Sequence, residues 1–275
     1  MNYLKKELYH LIKTDDAIFE FLQDSALDGM WYWDLEDLNQ EWMNARFWET
    51  LGYDPATKPH LAEAWQDIIN PADLELAKAN VAKHLANPTY PYDQIVRYAH
   101  QDGSTVWIRC RGMAIFDEAG VPKRMLGAHV DVTQQKRIEQ LLTETNRVAR
   151  VGAWEVNFSN NSMYWSEVTK EIHEVASDFQ PDLTASINFY KEGVRRDTIT
   201  QCVEVTIATG KPFDVELQII TSKNNEIWIR AIGKADFHNG ACSRIYGVFQ
   251  DIDQRKKAET KLTQSEEQFR QIFKY

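Results

Sequence analysis

The chain has little cysteine, no long apolar run and no surplus of positive charge, and each shortage removes a class of function. Three cysteines (Cys110, Cys202, Cys242) stand among 275 residues with no Cys-x-x-Cys pair, and a fold of this size needs no disulfide. Buried or incidental thiols are what free cysteine favours. No apolar stretch reaches the ~18 residues of a membrane span, and Met1-Asn-Tyr-Leu-Lys-Lys lacks the apolar centre of a signal peptide. These absences predict a soluble, cytoplasmic chain with no membrane segment of its own. A formal charge of −10 leaves no basic face for phosphates, which argues against nucleic acid as a partner. A Gly-rich nucleotide loop, a Gly-x-Ser-x-Gly turn and a spaced His/Cys/Asp set for a metal are missing too. None of the seven histidines has a phosphoacceptor setting. No catalytic and no metal-binding residue is therefore expected, and the chain reads as a non-enzyme.

What is there is apolar, aromatic and duplicated. Apolar residues make up 43% and aromatics 12%, enough for a core in each of about two domains. Trp107, Ile108, Arg109, Gly112 and Phe116 return as Trp228, Ile229, Arg230, Gly233 and Phe237, each 121 positions later. After a turn one residue shorter, Gly127 and Asp131 return as Gly247 and Asp251, 120 later. Solenoid repeats recur every ~20–50 residues, so this spacing means duplicated domains.

In order, residues 3–22 carry Leu4, Leu8, Leu11 and Ile12 at helical spacing, and Thr14-Asp-Asp splits them into two helices. That stripe needs a cover, either the chain's own sheet or a partner subunit. Gly29-Met-Trp-Tyr-Trp-Asp-Leu and Glu41-Trp-Met-Asn-Ala read as strands. Residues 46–86 read as short helices and one longer helix opening at Pro71, with Asn70 as N-cap and Asp73 in the first turn. From Tyr92 the period becomes two: Tyr92–His100, Thr105–Phe116 and Lys123–Val132 are strands joined by the turns Gln101-Asp-Gly-Ser and Glu118-Ala-Gly-Val. The second half repeats this order, with turns at Lys223-Asn-Asn and His238-Asn-Gly. Ile138, Leu141, Thr145 and Val148 form a sparse heptad seam between the halves, continued after the second half by Ala258, Leu262, Ser265, Phe269 and Ile272. Where each last strand becomes a helix, Thr133 is a suitable N-cap, and Asp253 does the same job in the second copy while complementing the helix dipole.

Leu51-Gly-Tyr-Asp-Pro, His100-Gln-Asp-Gly-Ser-Thr-Val-Trp-Ile-Arg and Gly127-Ala-His-Val-Asp-Val-Thr together resemble the PAS fold with its C-terminal PAC motif. The resemblance covers both halves. The second departs from it, lacking the Leu-Gly-Tyr stretch and carrying Asp-Ile-Asp for Asp-x-Thr, which leaves its fold secure and weakens its pocket. The implied class is α+β: two PAS domains, each a five-stranded antiparallel sheet with short helices on one face, joined and flanked by amphipathic helices. The boundaries are a flanking helix at 1–22, PAS/PAC domains at 23–133 and 149–253, a helical connector at 134–148 and an exit helix at 254–275. Ser265-Glu-Glu-Gln-Phe-Arg-Gln-Ile-Phe resembles the start of a further PAS module, so a longer parent protein is expected.

The resemblance implies a sensory input module that detects a small ligand, redox state or light. It would relay that input through paired helices of a homodimer to an output module in the parent protein, a histidine kinase or a cyclic-di-GMP synthase. The alternative is a non-sensing scaffold for dimerisation and protein–protein contact. By strand alternation Gly127, His129 and Asp131 share one face, which the resemblance to flavin-binding PAS domains turns into the pocket, and Ile108, Cys110 and Gly112 share the inner face with Trp31 and Trp33. Trp31, Trp33, Ile108, Cys110 and His129 are thus the candidate pocket of the first domain, able to stack a flat ring; the alternative is that the tryptophans fill the hollow themselves and His129 satisfies a backbone carbonyl. Non-covalent flavin (FAD or FMN) is the leading cofactor. A covalent flavin adduct is excluded because Ala56–Asn70 holds no cysteine, and haem fits poorly because His84 lies in the last turn of its helix. In the second copy Phe249 takes the place of His129, which marks that domain as structural. Asp131, Thr133, Asp251, Asp253, Ile138 and Leu141 are the candidate relay residues.

Overall fold

A computed structural model describes residues 2–272; Met1 of the flanking segment and residues 273–275 of the expected exit segment lie outside the described residues, as do the side chains of residues 24–26 and of Ile272. The chain divides into two units, Met1–Glu139 and Gln140–Tyr275.

The first unit opens with α1 (Tyr3–Thr14) and α2 (Asp16–Ala26), separated at the Thr14-Asp-Asp break. Asp15 caps α2, its carboxylate accepting from the amides of Ala17 and Ile18. α1 buries none of its residues, so the unit's own sheet does not cover the Leu4/Leu8/Leu11 stripe. Then come β1 (Gly29–Asp34), β2 (Glu41–Met43), α3 (Ala45–Thr50), a 3-10 turn at Pro55–Thr57, α4 (Glu63–Gln66), α5 (Pro71–Ala86), β3 (Tyr92–Ala99), β4 (Thr105–Phe116) and β5 (Pro122–Asp131). The strands form one antiparallel sheet in the order β2-β1-β5-β4-β3. Hairpin turns need residues that accept positive φ, and Gly103 (φ 87°) and Gly120 (φ 77°) supply them. α5 starts as its sequence demands, with Asn70 Oδ1 accepting from the Ala72 amide and Pro71 at the first position. Asp73 faces the sheet, its carboxylate held by Nε and Nη2 of Arg97 at 2.8 and 2.7 Å and by the Arg97 amide. That forked pair fixes α5 over β3 and holds the Asp73 carboxyl below its ordinary range.

α6 (Thr133–Val148) follows β5. The second unit then repeats the plan with β6 (Val151–Asn157), β7 (Ser162–Trp165), α7 (Glu167–His173), α8 (Leu183–Asn188), α9 (Val194–Thr209), β8 (Phe213–Ile220), β9 (Glu226–His238), β10 (Ala241–Asp251) and α10 (Asp253–Ile272). Its antiparallel order is β7-β6-β10-β9-β8, the counterpart of the first sheet. The duplication extends to cross-strand ion pairs: Arg109 grips Asp93, and Arg230 grips Asp214 in the same way. Both pairs are half-exposed and stabilise their sheets only modestly.

Each unit has one core on the helix-covered face. Phe47, Leu51, Val96, Ile108 and Met125 are almost completely buried in the first, and Ile172, Ile219, Ile229 and Ile245 in the second.

Candidate functional site

Between the helices and the sheet of the first unit lies a cavity of about 150 Å³, the size that holds a benzene molecule. Trp31 and Trp33 reach it from β1, Glu41 and Met43 from β2, Tyr92, Gln94 and Tyr98 from β3, Cys110 from β4 and His129 from β5. Alternation explains the set, since these residues sit at every second position of their strands. Trp65 and the inner side of α5 close it from above. Four of the five expected pocket residues therefore meet here. Ile108 is fully buried but does not border the cavity.

Trp31 lies against the sheet where Gly112 and Gly127 pair across β4 and β5. A Cβ on Gly127 would stand 2.2 Å from its ring, and one on Gly112 would stand 2.8 Å away. The indole thus covers the floor on which a flat cofactor would stack. Gln94 is committed as well, its amide donating to the Tyr92 hydroxyl (3.0 Å) and accepting from Asn80 (2.6 Å). In this conformation the cavity does not take a flavin, because 150 Å³ is well below the roughly 300 Å³ where drug-sized pockets begin.

Glu41 is the charged residue that alternation in Glu41-Trp-Met could have revealed, since it shares its face with buried Met43. It is 6% exposed, and Trp65 Nε1 donates to its Oε2 at 2.6 Å. Among the described residues its other oxygen has no hydrogen bond and no cation pairs with it. Burial raises its pKa from 4.5 to about 7, against the pull of the Trp65 bond. His129 lies 4.7 Å from Phe47, ring centre to ring centre, and burial lowers it to about 3, so it is neutral. His129 Nδ1 and Trp31 Nε1 are buried without a hydrogen bond, so His129 does not serve a backbone carbonyl through that nitrogen. Burial also pushes the Cys110 thiol up to about 12, which leaves it protonated and unreactive.

His84 is a satisfied core histidine. Its Nδ1 donates to the Tyr90 carbonyl (2.6 Å), and its Nε2 accepts from the Ala114 amide (3.1 Å), which fixes the tautomer and leaves no nitrogen for an iron. Among the described residues no group of three or more His, Cys, Asp or Glu can hold a metal ion. Among the described residues no helix is long and apolar enough to cross a membrane.

The second unit holds only about 50 Å³ in the corresponding place. Phe249 stands where His129 stands in the first, and His173 of α7 lies 4.6 Å from it, ring centre to ring centre. His173 Nδ1 donates to the Thr169 carbonyl at 2.8 Å, and burial lowers the ring to about 4.

The helix junctions differ from the expected caps. Thr133 does not cap α6; its hydroxyl accepts from the Trp107 amide of β4 at 2.8 Å. The residue two earlier takes over at the helix start, with Asp131 Oδ1 accepting from the Thr133 amide at 2.8 Å. The Val132 amide returns a bond to the Trp107 carbonyl, so the Trp107 peptide is held from both sides. The second copy repeats the clip. Asp253 Oδ1 accepts from the Trp228 amide (3.4 Å), the Ile252 amide donates to the Trp228 carbonyl, and Asp251 Oδ1 accepts from the Asp253 amide (3.0 Å). A hydroxyl at a strand end can accept from its own helix or from the neighbouring strand, and only register shows which amide lies opposite. Thr133→Ala is expected to lower the unfolding free energy by about 1–2 kcal/mol, since the Trp107 amide loses its acceptor, while Thr133→Asp stays near the wild type. Urea unfolding checks this, and an Asp variant weaker than the Ala variant contradicts it.

Residues 40–129 match the sequence profile of the family described as PAS fold. The first unit is a PAS domain. The second unit has the same strand order, so both units share the fold. A blue-light-activated histidine kinase of Brucella canis is 25% identical over 212 residues, covering 69% of this chain and 41% of that protein. The sensor protein FixL of Bradyrhizobium diazoefficiens is 26% identical over 126 residues, 44% of this chain and 24% of that protein. The chain thus spans less than half the length of these curated relatives. Among solved structures, a sensory box histidine kinase/response regulator from Burkholderia thailandensis is 28% identical with a TM-score of 0.41, covering 48% of this chain and 97% of that one.

Proposed function

We propose that this PAS pair is the sensory input region of a signal-transduction protein, in which the cavity of the first domain detects a small molecule and α6 carries the response. The observation that supports this most is the path along β4. Cys110 borders the cavity, and Trp107, three residues away on the same strand, is bonded on both faces of its peptide to the start of α6. A ligand that shifts β4 therefore shifts the helix start without an intervening flexible segment. The second domain, with its cavity nearly filled, would pass on the signal through Trp228, Asp253 and α10. A histidine kinase is the output that the relatives' names favour, in a module beyond these residues and on the cytoplasmic side of any membrane.

Self-association through the helices belongs to the same reading. Ile138 and Leu141 on α6 are 49% and 66% exposed, and Leu262 on α10 is 62% exposed, so apolar side chains repeat along surfaces that the chain leaves uncovered. Leu141→Lys is expected to weaken self-association by roughly tenfold or more, with the circular dichroism of both domains unchanged. Sedimentation at graded concentration measures it, and unchanged association removes the seam from the proposal.

Light is the second reading, favoured by relatives named as blue-light-activated. It requires a flavin, and hence Trp31 to leave the Gly112/Gly127 floor. Near-ultraviolet and blue absorption of the purified chain tests it: flavin bands support light sensing, and their absence after flavin is supplied removes it. A cavity that takes no ligand of any kind would leave the scaffold reading.

A further inference from the structure

We infer that the cavity of the first domain binds a small organic ammonium ion, with Glu41 as its counter-ion and Trp31, Trp33, Trp65, Tyr92 and Tyr98 as an aromatic cage. This rests on the sensory reading of the same cavity and adds the class of ligand. Glu41 has one hydrogen-bond donor, Trp65 Nε1, and no ion-pair partner among the described residues. A carboxylate taken out of water needs a charge partner or a proton. The wall around it supplies neither, but it is lined by five aromatic rings, and an aromatic face attracts a cation. An anion is disfavoured because the one basic side chain at the rim, Lys78, is bonded to Glu75 at 3.0 Å. A bare metal ion is disfavoured because one carboxylate among aromatic rings offers too few oxygen ligands. The volume suits a tetramethylammonium-sized head, near that of benzene.

The groups facing Glu41 leave it alone to titrate near neutrality. Burial raises Tyr92 and Tyr98 on β3 and Cys110 on β4, so all three stay protonated. His129 on β5 stays neutral, and the Lys78 ammonium of α5 is turned to Glu75. An ammonium ligand needs Glu41 ionised, so its affinity should fall about tenfold for each pH unit below the Glu41 pKa and level off above it.

The test is calorimetric titration of the full chain with tetramethylammonium chloride, with potassium chloride and the neutral tert-butanol as controls, at about pH 8 and about pH 5.5. One saturable site is expected for tetramethylammonium at the higher pH, weaker by roughly tenfold or more at the lower pH, and weaker by roughly 30-fold in Glu41→Gln. Should Glu41→Gln not fold, Trp65→Phe serves. It removes the single donor to Glu41, so the pH midpoint for binding should move upward, and an unmoved midpoint contradicts the inference. No saturation at either pH, equal binding of tert-butanol, or undiminished binding by Glu41→Gln overturns the ammonium inference; if tert-butanol binds, the sensory reading survives. Tetramethylammonium bound as expected, with amide exchange in α6 unchanged, upholds the inference and removes the sensory reading.

Discussion

Glu41→Gln is expected to stabilise the first PAS domain by about 3 kcal/mol at about pH 8 and by almost nothing at about pH 4. Burial raises the Glu41 carboxyl from its ordinary 4.5 to about 7, so the folded domain keeps a proton that the unfolded chain has released. The stability from that proton is fully present below pH 4.5 and declines across the interval up to about 7, where it is lost. At about 1.4 kcal/mol per pH unit, that interval sets the expected size. Glutamine keeps the shape, and its carbonyl can still accept from Trp65, but it has no charge to bury. Urea unfolding of both proteins over this pH range measures the difference. A variant that is less stable than the wild type at high pH shows that Glu41 is already neutralised by a partner inside the protein.

Gly247→Ala is expected to cost about 4 kcal/mol or more and to unfold the second domain ahead of the first. A Cβ at Gly247 would stand 1.8 Å from the Ile232 carbonyl oxygen across the β9–β10 ladder. The nearest atoms are all backbone of β9, with no side chain to swing aside, so two central strands must part. Gly127 occupies the same place in the first sheet, where a Cβ meets the Arg111 carbonyl at 2.4 Å and the Trp31 ring at 2.2 Å. Gly127→Ala should therefore also lift Trp31 from the cavity floor and change tryptophan fluorescence, which Gly247→Ala should do far less. A cooperative transition at the wild-type midpoint for Gly247→Ala would contradict this account of the repeated glycines.

Much of this architecture was legible because it rests on local chemistry. The strands announce themselves by alternation, the hairpins by Asp-Gly, Ala-Gly and Asn-Gly turns with φ above zero at Gly103, Gly120, Asn239 and Gly240, and α5 by Asn70-Pro71. Alternation together with the PAS resemblance pointed to the inner-face set, four of whose five members border the cavity. What stayed hidden depends on depth and register. Glu41 sits in a three-residue strand beside a polar turn, where a carboxylate reads as solvent-facing; alternation with Met43 was the one signal of an inward face, and the bond from Trp65 shows how it is covered. Thr133 carries the side chain of an N-cap, but the unpaired amide opposite it belongs to Trp107, 26 positions back, and that pairing follows from the sheet, not from the helix. The size of the cavity was equally invisible, because two tryptophans can fill a hollow or frame it. Here Trp31 covers the floor while Trp33 and Trp65 stand at the wall.

Stiff attachment of each exit helix to its sheet is the claim on which the sensory reading depends. Amide hydrogen exchange of the full chain measures it residue by residue, at Trp107 and the first turn of α6 and at Trp228 and the first turn of α10. The expected result is that each tryptophan amide and the helix turn beside it exchange together, as slowly as the neighbouring strand, and that Thr133→Ala releases Trp107 and α6 together. Helix turns that exchange at the rate of an unstructured chain while Trp107 and Trp228 remain protected would show loose tethers and contradict it.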